Sequence, residues 1–236
     1  MRIHQITDLH IPDEDSGPDF QHIKPNVLKQ LSFVSKDNSD LLVISGDLTM
    51  RDHSREACEW LATRLPSAMN IVVIPGNHDD PAVLWDVFGE ALCRNRRFFH
   101  AMPSGCGELL FLNTTTDLVP PEQLEFLASH KADGTVLFVH HPPDLVSDGF
   151  MARNQPLLNH AEVAALIGAS TIEHVFCGHY HNVVDKACDG FSLHVTPSPA
   201  FQIALEPPTF TMERFEPGVR IIDLADGVVR TRMEYV

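Results

Sequence analysis

Ile71-Val72-Val73-Ile74-Pro75-Gly76-Asn77-His78-Asp79-Asp80-Pro81 is the stretch on which the reading of the fold turns. Consecutive β-branched residues form a strand with apolar side chains on both faces, the pattern of a strand covered above and below in a parallel sheet. Pro75-Gly76 stops it. Pro81, whose fixed φ suits the first turn of a helix, opens the next element over residues 81–88. A strand, a polar turn and a helix in direct succession are half of a βαβ unit.

Similar runs recur on either side. Strands are predicted over residues 2–7, 41–45, 71–75, 109–113, 135–139, 174–177, 191–196, 219–224 and 228–233. Helical spacing separates the earlier ones. Over residues 23–35, Val27, Leu28, Leu31 and Val34 share one stripe, and over 54–65 a capping Ser54 precedes Ala57, Trp60, Leu61 and Leu65. Residues 121–129 and 160–167 follow the same logic. The alternation predicts an α/β fold with parallel strands. Beyond Cys177, turn signals at Asp189-Gly190 and Asp226-Gly227 predict antiparallel hairpins. Residues 11–22 and 197–218 read as long irregular excursions, which in a compact domain are usually functional.

Composition excludes several function classes. The 236 residues carry 17 Lys+Arg against 32 Asp+Glu, a formal charge of −15. Such a surface repels polyanions, so a nucleic acid polymer is not an expected partner. No apolar run is long enough to span a bilayer, and the first residues lack the pattern of a signal peptide, so no membrane partner and a cytoplasmic location are expected. Cys58, Cys93, Cys106, Cys177 and Cys188 are scattered with no C-x-x-C pair, against both a disulfide framework and a thiolate zinc site. There are 14 histidines beside two Trp and two Tyr, a balance that hints at metal.

Five polar blocks stand at the downstream ends of predicted strands: Asp8-Leu9-His10, Gly46-Asp47, Gly76-Asn77-His78-Asp79, His140-His141 and Gly178-His179-Tyr180-His181. In an open α/β sheet, ligands bind beyond the carboxyl ends of the strands, so the blocks converge on one edge. Carboxylate oxygen, imidazole nitrogen and amide oxygen suit hard-to-borderline divalent metals. The spacing of Asp8/His10 and of His179/His181 points both members of each pair to one side of an extended backbone. Glycine before Asp47, Asn77 and His179 removes a Cβ where chain and metal approach closely.

These blocks resemble the motifs of the calcineurin-like metallophosphoesterases, all of which are present. The likeness is nearest to the class III cyclic-nucleotide phosphodiesterases and the bacterial glycerophosphodiesterases, and it covers nearly the whole chain. Residues 6–10, 44–49, 75–79 and 140–142 carry it, with Thr196-Pro197-Ser198, Gln202 and Pro217-Gly218 in the tail. The resemblance implies a four-layer α/β/β/α sandwich with mixed sheets, forming a single domain over 1–236 with 197–236 as a C-terminal loop and strand extension. It implies that Asp8, His10 and His181 hold one divalent metal and Asn77, His140 and His179 a second, with Asp47 bridging. Iron, manganese and zinc all accept such sites, so the metals' identity stays open. Relatives are often dimers, which leaves a homodimer open.

Two carboxylates, two divalent ions and a bridging hydroxide sum to about +1, which suits a phosphodiester of −1, and paired ions activate the shared water for attack. His78, next to Asn77, is the candidate to contact phosphate and to protonate the leaving oxygen, with Asp47 the other catalytic candidate. Asp79 either orients His78 or caps the helix from Pro81. The implied activity is hydrolysis of a small phosphodiester by the bridging hydroxide, first a 3′,5′-cyclic nucleotide such as cAMP. The alternatives are a glycerophosphodiester, or a monoester or nucleotide pyrophosphate on the same scaffold. Pyrophosphohydrolases of the superfamily have arginine where His78 stands, which favours the diester. The charge disfavours a repair nuclease, and a non-catalytic scaffold would have lost ligands that are all here. Typical members carry a longer insert before the helix at 121–129, so the short 114–120 connection leaves the substrate side of the pocket open.

Overall fold

A computed structural model describes residues 1–13, 16–50, 53–213 and 216–236. The strands are β1 (Arg2–Ile6), β2 (Leu41–Ser45), β3 (Ile71–Ile74), β4 (His100–Pro103), β5 (Glu108–Phe111), β6 (Thr135–Phe138), β7 (Ile172–Cys177), β8 (Val184–Ala187), β9 (Ser192–Val195), β10 (Gly218–Ala225) and β11 (Val228–Tyr235). The helices are α1 (Ile23–Lys36), α2 (Arg55–Ala62), α3 (Pro81–Cys93), α4 (Pro121–Ser129), α5 (Phe150–Asn154) and α6 (His160–Gly168), with a short 3₁₀ turn at Pro18–Phe20.

The strands form two mixed sheets, ordered β11-β10-β1-β2-β3 and β4-β5-β6-β7-β9-β8. Strand alternation sorts the side chains into layers. Leu41, Val43, Val72 and Ile74 of the first sheet meet Leu109, Phe111, Val136 and Phe138 of the second in one buried cluster. The alternate residues, Leu42, Ile44, Ile71 and Val73, pack outward with Val27, Leu31, Leu61 and Leu84 of α1, α2 and α3. Across the molecule, Leu110, Leu137 and Val175 pack with Leu127, Val163 and Ile167 of α4 and α6. The result is the expected four-layer α/β/β/α sandwich. No helix among the described residues is long and apolar enough to cross a membrane.

Local chemistry accounts for most element boundaries. The Ser54 hydroxyl accepts from Ala57 N at the start of α2, and Asp80 accepts from Ala82 N at the start of α3, where Pro81 takes the first position. Asp226 (φ 53°) and Gly227 (φ 73°) are both left-handed, as the tight turn joining antiparallel β10 and β11 requires. The turn at Asp189-Gly190 joins antiparallel β8 and β9 over a four-residue loop, with only Gly190 (φ 85°) left-handed.

Several expectations need correction. Leu28 faces solvent, and the buried face of α1 is Ile23, Val27, Leu31 and Val34 with Asn26 and Gln30. Helix α3 runs past residue 88 to Cys93, bending at Gly89. Strands β4 and β8 and helix α5 were not anticipated. β4 and β8 are edge strands whose residues are mostly half-exposed, so neither carries an apolar alternation. The excursions at 11–22 and 197–218 are largely irregular, with bridges Ile11–Thr49 and Ile203–Met212; their residues 14–15 and 214–215 lie outside the described residues. All five cysteines are free.

A polar layer also lies between the sheets. Arg220 on β10 is fully buried. It donates through Nε to Thr196 Oγ1 at 3.0 Å, through Nη1 to Asp185 Oδ1 at 2.9 Å and through Nη2 to the Val195 carbonyl at 2.8 Å. His194 sits between Asp185 (2.6 Å) and His174 (3.0 Å). Thr196 donates to Gln5 Oε1 at 2.7 Å, and Gln5 donates to Ser45 Oγ at 2.8 Å.

Candidate metal centre

All five polar blocks follow directly on strands: β1, β2 and β3 of one sheet and β6 and β7 of the other. The site therefore spans the carboxyl ends of both sheets. The chain leaves these strands in strained turns. Asp8 (φ 53°), His10 (φ 41°), Asp47 (φ 51°), His179 (φ 67°) and His181 (φ 54°) all adopt left-handed backbone, unfavourable for residues with a Cβ. Such strain persists where the surroundings dictate it, and it concentrates at functional sites. Close approach explains the glycines. A Cβ at Gly76 would run into Asp47 and His140, and one at Gly178 into Thr7 and Asp8.

Ligand atoms of Asp8, His10, Asp47 and His181 lie within 4.8 Å of one another, all four residues buried. His10 Nε2 and His181 Nε2 approach to 2.9 Å. His181 Nε2 is 3.3 Å from Asp8 Oδ1, and His10 Nε2 is 3.6 Å from Asp47 Oδ2. A second group within the same limit is His140, His141 and His179. His140 Nε2 joins the two, 3.3 Å from Asp47 Oδ2 and 3.9 Å from Asp8 Oδ1.

The donor set fits divalent cations. His140 Nδ1 bonds the Ser45 carbonyl at 2.9 Å and His181 Nδ1 the Phe201 carbonyl at 3.1 Å. A carbonyl only accepts, so Nδ1 holds the proton in each ring and the Nε2 lone pair faces the cluster. His179 gives Nε2 to the Gln155 carbonyl at 2.8 Å, which leaves its Nδ1 for the cluster. Asn77 Oδ1 and His140 Nε2 are buried with no hydrogen-bond partner. Buried polar atoms without hydrogen bonds are costly, and a cation bound by Asn77 Oδ1 and by His140 Nε2 once it has lost its proton would remove the cost.

Electrostatics point the same way. Burial alone would neutralise Asp47, yet His140 and His10 hold its carboxyl well below the usual range. Burial opposes charge on His140 too, but Asp47 and Asp8 push its ring up to about 10. In the metal-free chain a proton on His140 thus offsets part of the carboxylate charge. Burial and neighbouring His181 bring His10 down to about 3, keeping it neutral and able to ligate.

The remaining motif residues have different surroundings. His78 is half-buried, its ring edge-on to His10 at 5.1 Å, and its N–H donates to Asp47 Oδ1 at 2.9 Å. Asp79 does not cap α3, since Asp80 does. Its carboxylate accepts from Leu48 N, Thr49 N and Gly76 N at 3.0–3.3 Å and so ties the turns after β2 and β3 together. Burial and nearby Asp47 raise it to about 7.

Two features escaped the spacing argument. His141, which belongs to the second candidate group, lies beside His179 with ring centroids 4.1 Å apart; its Nδ1 meets Thr114 Oγ1 at 2.8 Å, and its Nε2 is 3.0 Å from Asp117 Oδ1 without a hydrogen bond. The short 114–120 connection therefore reaches the centre. Phe201, from the irregular tail, packs on His181 (4.6 Å) and His10 (5.8 Å). A left-handed Asp117 or a folded-back Phe201 leaves no local signal in sequence.

The profile of the calcineurin-like phosphoesterase family matches residues 1–183. A Fibrobacter succinogenes protein named "Probable cyclic nucleotide phosphodiesterase" is 31% identical, over all of this chain and 94% of its own length. The Haemophilus influenzae 3′,5′-cyclic adenosine monophosphate phosphodiesterase CpdA is 22% identical, over all of this chain and 90% of its own. The crystal structure of a Danio rerio dimetal phosphatase superposes with a TM-score of 0.72 over 99% of this chain and 95% of that one, at 12% identity, a likeness of fold. With its two candidate metal sites at the strand ends, this chain belongs to the calcineurin-like phosphoesterase family and is a metal-dependent phosphoesterase.

Proposed function

We propose that this chain hydrolyses a 3′,5′-cyclic nucleotide such as cAMP to the 5′-nucleotide. One observation carries the reading: seven metal-ligand candidates converge beside His78, a half-buried imidazole outside the ligand set. In this reading Asp8, His10 and His181 hold one ion, Asn77, His140 and His179 the other, and Asp47 bridges them. The names of the relatives support the diester and the cyclic nucleotide. Two bound divalent ions supply an activated water and a clamp on the phosphoryl oxygens.

The chain's own residues do the rest. Asp47 is held in place from outside by the His78 N–H. His78 donates a proton to O3′ as the P–O3′ bond breaks and the water oxygen joins phosphorus, and it recovers a proton given up by that water. One water is consumed and the product is a monoester. The test is a hydrolysis screen of the Mn²⁺-loaded protein with cAMP, cGMP, glycerophosphodiesters, bis-p-nitrophenyl phosphate and p-nitrophenyl phosphate. Diesters should surpass monoesters in kcat/KM, with cAMP among the best natural substrates. A tenfold preference for p-nitrophenyl phosphate over its bis ester would sink the diester reading. A preference for glycerophosphodiesters would replace the nucleotide.

A further inference from the structure

Next to the metal cluster lies a cavity of 680 Å³ whose lining includes Asp19, Phe20 and Asn26 near the start of α1 and Phe201 and Met212 in the tail. Phe201 is the shared wall, since its ring also packs on His10 and His181. Two contacts hold the walls together. Asn26 Nδ2 donates to the Pro199 carbonyl at 2.9 Å, and His22 Nε2 meets the Ala200 carbonyl at 2.6 Å. Phe201 O in turn engages His181 Nδ1, so this wall of the cavity is built into the metal centre.

The lining is wrong for phosphate and right for a flat ring. Among the described residues no Lys or Arg lines it, and Asp19 would repel an anion. Phe20, Phe201 and Met212 offer aromatic and thioether surface, with Met212 54% exposed and so open to a ligand. Asn26 spends one amide N–H on Pro199 and keeps its oxygen and a second N–H, while the Asp19 carboxylate is an acceptor only. Acceptors thus outnumber donors on an apolar wall, which favours a heterocycle that presents an amino group over one that presents a carbonyl.

Building on the cyclic-nucleotide reading above, we propose that this cavity holds the base of the substrate. It takes a 6-aminopurine between Phe20, Phe201 and Met212 while the phosphodiester occupies the metal centre. The cavity is then the part of the site that distinguishes one diester from another.

The experiment compares cAMP, cyclic IMP and an abasic ribose 3′,5′-cyclic phosphate on the Mn²⁺-loaded wild type and on Phe20→Ala and Met212→Glu. The wild type should prefer cAMP over the abasic diester by thirtyfold or more in kcat/KM, on the order of the advantage expected from stacking one base. It should prefer cAMP over cyclic IMP by about fivefold or more, the size of a modest hydrogen-bond difference. Both variants should lower the cAMP-to-abasic ratio about tenfold, mainly through KM. Met212 is exposed, so its variant folds even if Phe20→Ala does not. A ratio unchanged within twofold in the folded variants, with cAMP still hydrolysed, overturns the cavity assignment and leaves the cyclic-nucleotide function standing. A wild type that cleaves bis-p-nitrophenyl phosphate but neither cyclic substrate overturns that function, and this inference with it.

Discussion

Arg220 and the candidate ligand cluster around Asp47 are both buried, but only Arg220 is completed by protein groups, one of them the solvent-exposed Asp185. Arg220 finds acceptors in Thr196, Asp185 and Val195, and His194 is held between Asp185 and His174. The ligand cluster leaves Asn77 Oδ1 and His140 Nε2 without hydrogen bonds, and five of its residues sit in left-handed backbone. A buried polar group lacking a partner is destabilising, so a fold keeps such groups where something outside the chain completes them. The contrast separates polar residues that hold the sheets together from the candidate ion ligands. It also shows that histidine count and burial do not make that distinction, because His194 is as much a buried histidine as His181.

Removing Asp47, the proposed shared carboxylate, should break the comparison most severely. Asp47→Ala should abolish stable binding at both sites and lower kcat/KM by roughly 10⁴ or more, because ion-activated water and phosphoryl positioning are lost together. His10→Ala should deplete mainly one site. Elemental analysis after Mn²⁺ loading measures this, and a wild type that retains a single ion would contradict the two-site arrangement.

His78→Ala should keep its metal and lose roughly 10²–10⁴ in kcat, the range of general acid catalysis. The loss should be smaller for a p-nitrophenolate leaving group, which departs without a proton. Equal losses for alkyl and aryl esters would assign His78 to phosphate charge instead.

The Arg220 layer should respond in stability rather than in metal. Arg220→Met strands the buried acceptors Thr196 Oγ1 and Val195 O, while Asp185 stays solvated, and should reduce unfolding free energy by about 1–3 kcal/mol, the cost of buried unsatisfied acceptors. Urea denaturation with metal analysis of the folded fraction checks both halves. Loss of metal from folded Arg220→Met would mean that the two clusters are one system.

A finer distinction lies in protons. His140 is pushed up to about 10 in the metal-free chain, so at pH 8 it is protonated and must lose that proton to ligate. Metal binding should release about one proton from this ring at pH 8, and apparent affinity should rise with pH until that pKa is passed. Titration calorimetry in buffers of different ionisation enthalpy measures the release. No detectable release would mean that another cation already neutralises Asp47.

The sequence alone marked the candidate metal donors, and its family resemblance implied the layer order. Apolar strands ending at polar blocks must bury both faces, and parallel strands bring their carboxyl ends to one edge, so Asp8, Asp47, Asn77, His140 and His179 could be grouped without coordinates. The hairpin at Asp226-Gly227 was legible for a local reason, the need for left-handed backbone at both positions. Tertiary structure decided what depends on segments meeting from far away. The edge strands β4 and β8 are held by one neighbour each and carry no apolar rhythm. Asp79 was assigned by three backbone N–H groups from two turns, His141 by Thr114 and Asp117, and Phe201 by the return of an irregular tail onto His10 and His181. Periodicity records the environment a residue shares with its sequence neighbours. A contact between loops distant in the chain depends on how both loops close, and neither loop encodes it alone.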